Sequence, residues 1–211
     1  MGVAQDLWHD SADLAAACLA HPFVRGLADG TLPRSAFAEY VAQDAYFLES
    51  FVRAYALALA HSPDRAGVDA FGDLLAGARA EIGRHASYAR SWGIDLSIVE
   101  PAPATVAYTD FLLATAALSG VGQTCAAMTP CMRLYAHLGQ SLSREHTSDA
   151  YADWIAAYAD PAFEALAATL ERLCDTYVEE VDRVRTTYRR AMRLELAFFD
   201  GVHHEERRHG H

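Results

Sequence analysis

Three residues of this chain have chemistry at odds with their surroundings. Cys131 directly follows Thr129-Pro130. Threonine as an N-cap and proline at the first helical position put Cys131 at the second position of a helix. Free amides and the positive end of the helix dipole there lower a thiol pKa and favour the thiolate, the form that attacks carbon. The alternative is a small buried apolar cysteine, which describes Cys18 and Cys174 and is open for Cys125.

Asp44 falls in the middle of a stripe made by Phe37, Tyr40, Val41, Phe47, Leu48 and Phe51 at helical spacing. A carboxylate facing a core is costly unless it is paired or hydrogen-bonded. Asp44 therefore has either a purpose or a structural partner, an arginine or a backbone group. Glu195 repeats the anomaly inside the stripe Tyr188, Ala191, Met192, Phe198, Phe199 and Val202. Two acids on two apolar faces suggest one shared pocket, and buried acids have raised pKa values suited to general acid and base work near neutral pH. Paired carboxylates can also hold two iron ions in a helical bundle, but such sites use Glu-x-x-His. Here Phe198 stands three places after Glu195, and Glu81 and Glu145 precede His85 and His146 at other spacings. Tyr108, Tyr135, Trp154 and Tyr158 lie beside these features. Core packing accounts for each, and so would a flat heteroaromatic ligand between the rings, its nitrogens bonded by phenol hydroxyls.

The elements that must position these residues are helices. Alanine fills 42 positions, Leu, Glu and Arg are abundant, and no run of alternating β-branched residues suggests a strand. Gly and Pro divide the chain into helices near 5–20, from after Pro33 to about 60, 66–91, 104–119, and from after Gly122 to Gly139 with an interruption at Thr129-Pro130. A short helix near 148–158 precedes a long one from Pro161 to about 200. Seven or eight helices with short connections, no internal repeat and no low-complexity linker read as a single all-α domain over 1–211, with a disordered His-rich tail at 204–211.

Composition excludes several functions. The 211 residues carry 17 basic and 28 acidic side chains, a net charge of −11, which repels nucleic-acid backbones and anionic lipid surfaces. Every basic residue is arginine, and neither lysine nor asparagine occurs. Schiff-base chemistry on lysine, a phosphate-loop lysine and a Cys-His-Asn protease are therefore ruled out. No apolar run approaches the length of a membrane span, no signal peptide is evident, and the four cysteines lack paired spacing. These features point to a cytoplasmic protein with reduced thiols.

Four segments together resemble the TenA/thiaminase II family, the aminopyrimidine aminohydrolases with a haem-oxygenase-like helical fold. They are Tyr40-Val41-Ala42-Gln43-Asp44, Ala127-Met128-Thr129-Pro130-Cys131-Met132-Arg133-Leu134-Tyr135, the run with Tyr151, Trp154, Ile155, Tyr158 and Phe163, and Glu195-Leu196-Ala197-Phe198-Phe199-Asp200. They fall in the expected order, and the resemblance spans about 5–203. It implies that Cys131 is the nucleophile that adds to a pyrimidine ring, that Glu195 protonates a ring nitrogen, and that Asp44 binds the 4-amino group and the adjacent nitrogen. Tyr135 and Tyr158 would supply hydrogen bonds, while Tyr108 and Phe198 would pack around the ring. Phe47 would stack on it without the hydroxyl of the tyrosine common in the family. Thr129, where an apolar residue is common, and the His-rich tail are further departures.

The resemblance implies hydrolysis of aminomethylpyrimidine, and thiamin cleavage as a related activity, to hydroxymethylpyrimidine in thiamin salvage. It implies no metal or organic cofactor, and a homotetramer. Two other readings are a haem-oxygenase-like oxygenase, which would need iron or dioxygen and leave the thiol and acids without a role, and a non-enzymatic pyrimidine-binding regulator. The net charge and the lack of a basic recognition helix speak against direct DNA binding.

Overall fold

A computed structural model describes residues 2–96 and 99–204, apart from the side chains of Tyr88, Ser91 and His204. The described residues form ten α-helices and no strand. These are α1 (Val3–His9), α2 (Ala12–Ala20), α3 (Pro22–Asp29), α4 (Arg34–His61), α5 (Arg65–Trp92), α6 (Pro103–Leu118), α7 (Val121–Glu145), α8 (Ala152–Ala159), α9 (Pro161–Tyr177) and α10 (Val181–His204). Helix α4 packs against α5 and α6, and α7 packs against α8, α9 and α10. None of these helices is long and apolar enough to cross a membrane.

The extra helices arise where a stop signal is also a start signal. The N-terminal segment breaks at Asp10-Ser11. It resumes at Ala12 as α2, and α3 opens at Pro22, where the His21 ring accepts a hydrogen bond from the Phe23 amide at 3.1 Å and caps the helix, with proline in the first turn. Gly30 closes α3 in the left-handed conformation, φ 77°. The expected helix from Pro161 to about 200 is two helices, parted at Val178–Glu180, where no Gly or Pro marks the break. The acids Glu179, Glu180 and Asp182 then lead into α10, where they suit the positive end of its dipole. The tail beyond His204 lies outside the described residues.

Helix α7 departs most from expectation, for it neither starts at Thr129 nor ends at Gly139. It runs through Pro130 without interruption, and the Thr129 hydroxyl donates to the Cys125 carbonyl at 2.7 Å instead of capping a new helix. Gly139 serves helix crossing, not termination. A Cβ there would stand 2.4 Å from the Tyr158 carbonyl carbon and 2.6 Å from the Ala159 nitrogen, so only glycine lets α8 lie this close.

Both acid-bearing stripes are buried as expected, Asp44 at 5% and Glu195 at 2% exposure. Side chains from α4 and α7 form the aromatic centre of the core. Phe47, Phe51 and Tyr55 stand one turn apart on α4 with ring centroids 5.4 and 4.8 Å apart. Tyr135 packs on Trp154 and Tyr158 of α8 at 6.0 and 4.8 Å. Burial of each such ring contributes on the order of 1.5–3 kcal/mol. Gln43, one residue before Asp44, secures the approach to α6. It donates to the Glu100 carbonyl and accepts from the Ala102 amide and the Thr105 hydroxyl at 3.0, 2.9 and 2.6 Å.

Candidate active site

A pocket of about 510 Å³, counting the space open at its mouth, lies between α4, α5, α7 and the α8–α9 corner. Asp44, Phe47, Cys131, Tyr135 and Tyr158 line it. Glu195, Tyr108 and Phe198 stand behind that wall. Glu195 accepts from the Tyr108 hydroxyl at 2.6 Å, and it stands near enough to Cys131 for each to shift the proton affinity of the other. The Phe198 ring lies 6.2 Å from Phe47, one layer behind the residues that line the pocket.

Cys131 is half-buried on the pocket wall. Because α7 is continuous, the thiol gains nothing from a helix N-terminus. Burial and the nearby Glu195 and Asp44 carboxylates push its pKa well above the usual thiol value. The expected thiolate is thus a thiol. Burial likewise lifts Glu195 to about 8, with the Asp44 charge adding to the rise and the Tyr108 hydrogen bond opposing it. At neutral pH the site holds a protonated acid against a protonated thiol. Cys18, Cys125 and Cys174 are fully buried and have the character of small apolar residues.

Among the described residues Asp44 is paired neither with arginine nor with backbone, but with a histidine. Its Oδ2 lies 2.6 Å from His85 Nε2, and the other ring nitrogen of His85 lies 3.8 Å from Glu81 Oε1, which is itself paired with Arg84. Burial opposes the charge on His85, but Asp44 and Glu81 outweigh it and raise the imidazole pKa above its ordinary value. His85 sits outside the pocket, behind Asp44, while Glu81 is part of the lining.

Tyr40 ties together the polar end of the pocket. Trp154 Nε1 donates to its hydroxyl at 3.2 Å, and the Tyr158 ring packs on Trp154 and Tyr135 at 4.7 and 4.8 Å. On the outer side of α7, Arg133 holds Glu171 through two bonds of 2.7 Å and Glu164 through one of 2.9 Å, fixing α7 against α9 beside Cys131.

A model of the TENA/THI-4/PQQC family matches residues 8–204. The chain belongs to that family. Among relatives of this TENA/THI-4/PQQC chain, an aminopyrimidine aminohydrolase of Halalkalibacterium halodurans is 31% identical over 219 residues, covering 97% of each chain. The bifunctional TH2 protein of Arabidopsis thaliana is 35% identical over 206 residues, 84% of this chain. The chain spans only 33% of the length of that relative. Among solved structures, a TenA family transcription regulator from Silicibacter superposes with a TM-score of 0.90 at 29% identity, covering 95% of this chain and 96% of the other. A domain with a heme oxygenase-like fold from Shewanella denitrificans gives a TM-score of 0.76 at 17% identity, covering 96% and 93%. The all-α, haem-oxygenase-like architecture is thereby established.

Sequence reasoning alone missed His85, Glu81 and Tyr55. The first two share an i,i+4 spacing, which places both on one face of α5, but a metal-ligand criterion passes over it. Tyr55 continues the Phe47, Phe51 series by one more turn.

Proposed function

We propose that this chain hydrolyses aminomethylpyrimidines to hydroxymethylpyrimidine through a covalent adduct on Cys131. The observation that carries the reading is the meeting of Cys131 with two buried acids, Asp44 and Glu195, at one aromatic-lined pocket. The Halalkalibacterium aminohydrolase, similar over nearly the whole of both chains, supports the same reaction class.

In this reading Asp44 binds the 4-amino group and neighbouring nitrogen, held by His85 from behind. Phe47 packs on the ring, with Tyr135 and Tyr158 at its rim. Glu195 gives its proton to the ring nitrogen next to the carbon that Cys131 attacks, and receives the thiol proton as the carbon–sulfur bond forms. The loss of aromaticity lets the bond from the exocyclic methylene to the amine break, and the amine departs as ammonia. Water adds to the methylene, the carbon–sulfur bond breaks, and the ring regains its aromaticity. The net change is amine plus water to alcohol plus ammonia, and no step needs a metal or an organic cofactor. A homotetramer, a cytoplasmic location and the absence of a nucleic-acid partner belong to the same proposal.

The test is ammonia release from 4-amino-5-aminomethyl-2-methylpyrimidine by metal-free protein beside its Cys131→Ser variant. Release by the parent that vanishes in the variant is the expected result. Equal release by both would overturn the covalent mechanism.

A further inference from the structure

The lining of the pocket extends along α4 well beyond Asp44, and at its far end stands a polar group that the reaction above does not use. Asp44 and Tyr55, eleven residues apart on α4, both line it, a rise of about 16 Å along the helix. Tyr55 is 1% exposed, and its hydroxyl is buried with no hydrogen-bond partner among the described residues. A buried phenol usually finds a partner, so an orphan facing a pocket points to a group that a ligand brings. Phe51, Leu74 and Met132, which share the lining around it, offer none.

The order of residues along the two helices says which part of the substrate reaches Tyr55. Tyr135 of α7 packs on Trp154, which donates to Tyr40 one turn before Asp44 on α4, and Cys131 lies one turn earlier on α7. Tyr55 shares the lining with Cys131 and, among the described residues, bonds to neither acid, whereas the Tyr108 hydroxyl donates to Glu195 at 2.6 Å. Tyr55 thus lies past the thiol, away from both acids. The carbon attacked by Cys131 has two ring neighbours, the nitrogen served by Glu195 and the carbon that bears the exocyclic methylene. The side of the thiol away from Glu195 is the methylene side.

We propose that Tyr55 is a specificity-determining residue whose hydroxyl hydrogen-bonds the leaving group, so that the pocket favours leaving groups with a polar arm over a bare amine. This rests on the hydrolase reading above. Thiamin, whose thiazole carries a hydroxyethyl arm, and its analogue with an ethyl arm form the matched probes.

The experiment measures kcat/KM for both probes with the parent and with Tyr55→Phe. The parent prefers thiamin over the ethyl analogue, and the variant cuts that ratio by about tenfold, the worth of one buried hydrogen bond. A ratio unchanged by the substitution would overturn the inference while leaving the hydrolase reading intact. Removing an orphan hydroxyl also raises the Tm of the free protein by about 2–4 °C, whereas a lower Tm would reveal a structural partner and count against the inference. If the parent turns over neither probe nor the aminomethylpyrimidine, the hydrolase reading falls. The thermal shift produced by thiamin then decides the contact alone, and equal shifts in parent and variant would overturn it.

Discussion

His85 Nε2 stands 2.6 Å from Asp44 Oδ2, the imidazole on α5 and the carboxylate on α4, with Glu81 on the far side of the ring. The pair joins the two longest helices at the polar end of the pocket, so the carboxylate assigned to the substrate amine is aimed by a residue that does not line the pocket.

Replacing His85 by Gln leaves Asp44 charged and without its cation. Breaking a buried pair from one side costs on the order of 3–5 kcal/mol, and the amide of glutamine keeps the loss near the lower figure. Because the imidazole pKa is raised in the folded chain, its contribution is present below pH 6.5 and fades as pH rises through the folded value. The stability gap between parent and His85→Gln in urea unfolding is therefore larger at pH 6 than at pH 9. A gap that widens with pH would contradict the charged imidazole.

Glu195 gives a slope of the same sign from a different kind of group. Its carboxyl holds its proton to about pH 8 when folded and ionises near 4.5 when unfolded. Between those values the unfolded chain binds fewer protons, so stability falls as pH rises, by up to about 1.4 kcal/mol per pH unit. Glu195→Gln removes that loss, and its Tm gains on the parent from pH 5 to pH 8. Activity of the parent declines above about pH 8 as the acid loses its proton. A Tm difference that stays constant across this range would mean that the folded acid is ionised throughout.

Two glycines of the long helices respond oppositely to alanine. Gly139→Ala drives a methyl group into the backbone of α8, shifts Tyr158 at the pocket rim, and costs about 1–3 kcal/mol with a raised KM for the pyrimidine. Gly83 in α5 is exposed with nothing within 4 Å of an added Cβ, so Gly83→Ala stabilises by up to about 1 kcal/mol. Thermal unfolding of the two variants beside the parent checks both signs.

The helical class was legible because alanine content and the spacing of Gly and Pro act locally. The boundaries that failed depend on distant contacts. Gly139 resembles a helix end until α8 is seen lying against it, and the break after Tyr177 has no punctuating residue at all. The site was legible where a residue contradicted its own helix, as Asp44 and Glu195 do within apolar stripes. His85 and Tyr55 contradict nothing locally, and their meaning comes from the partner that one has and the other lacks. For Cys131 the expected helix N-terminus is not there, because a proline that elsewhere opens a helix is here accommodated inside one.

The protonated state of Cys131 also bears on how the protein survives between turnovers. Peroxides and alkylating electrophiles react with thiolates far faster than with thiols. In the proposed mechanism, a nucleophile kept protonated by burial and by the acids around it is inert toward such reagents while the pocket waits for its ligand. Only a ring able to accept the proton of Glu195 releases the sulfur for attack, so the same pair of acids that delays the reaction also shelters the cysteine from oxidative damage.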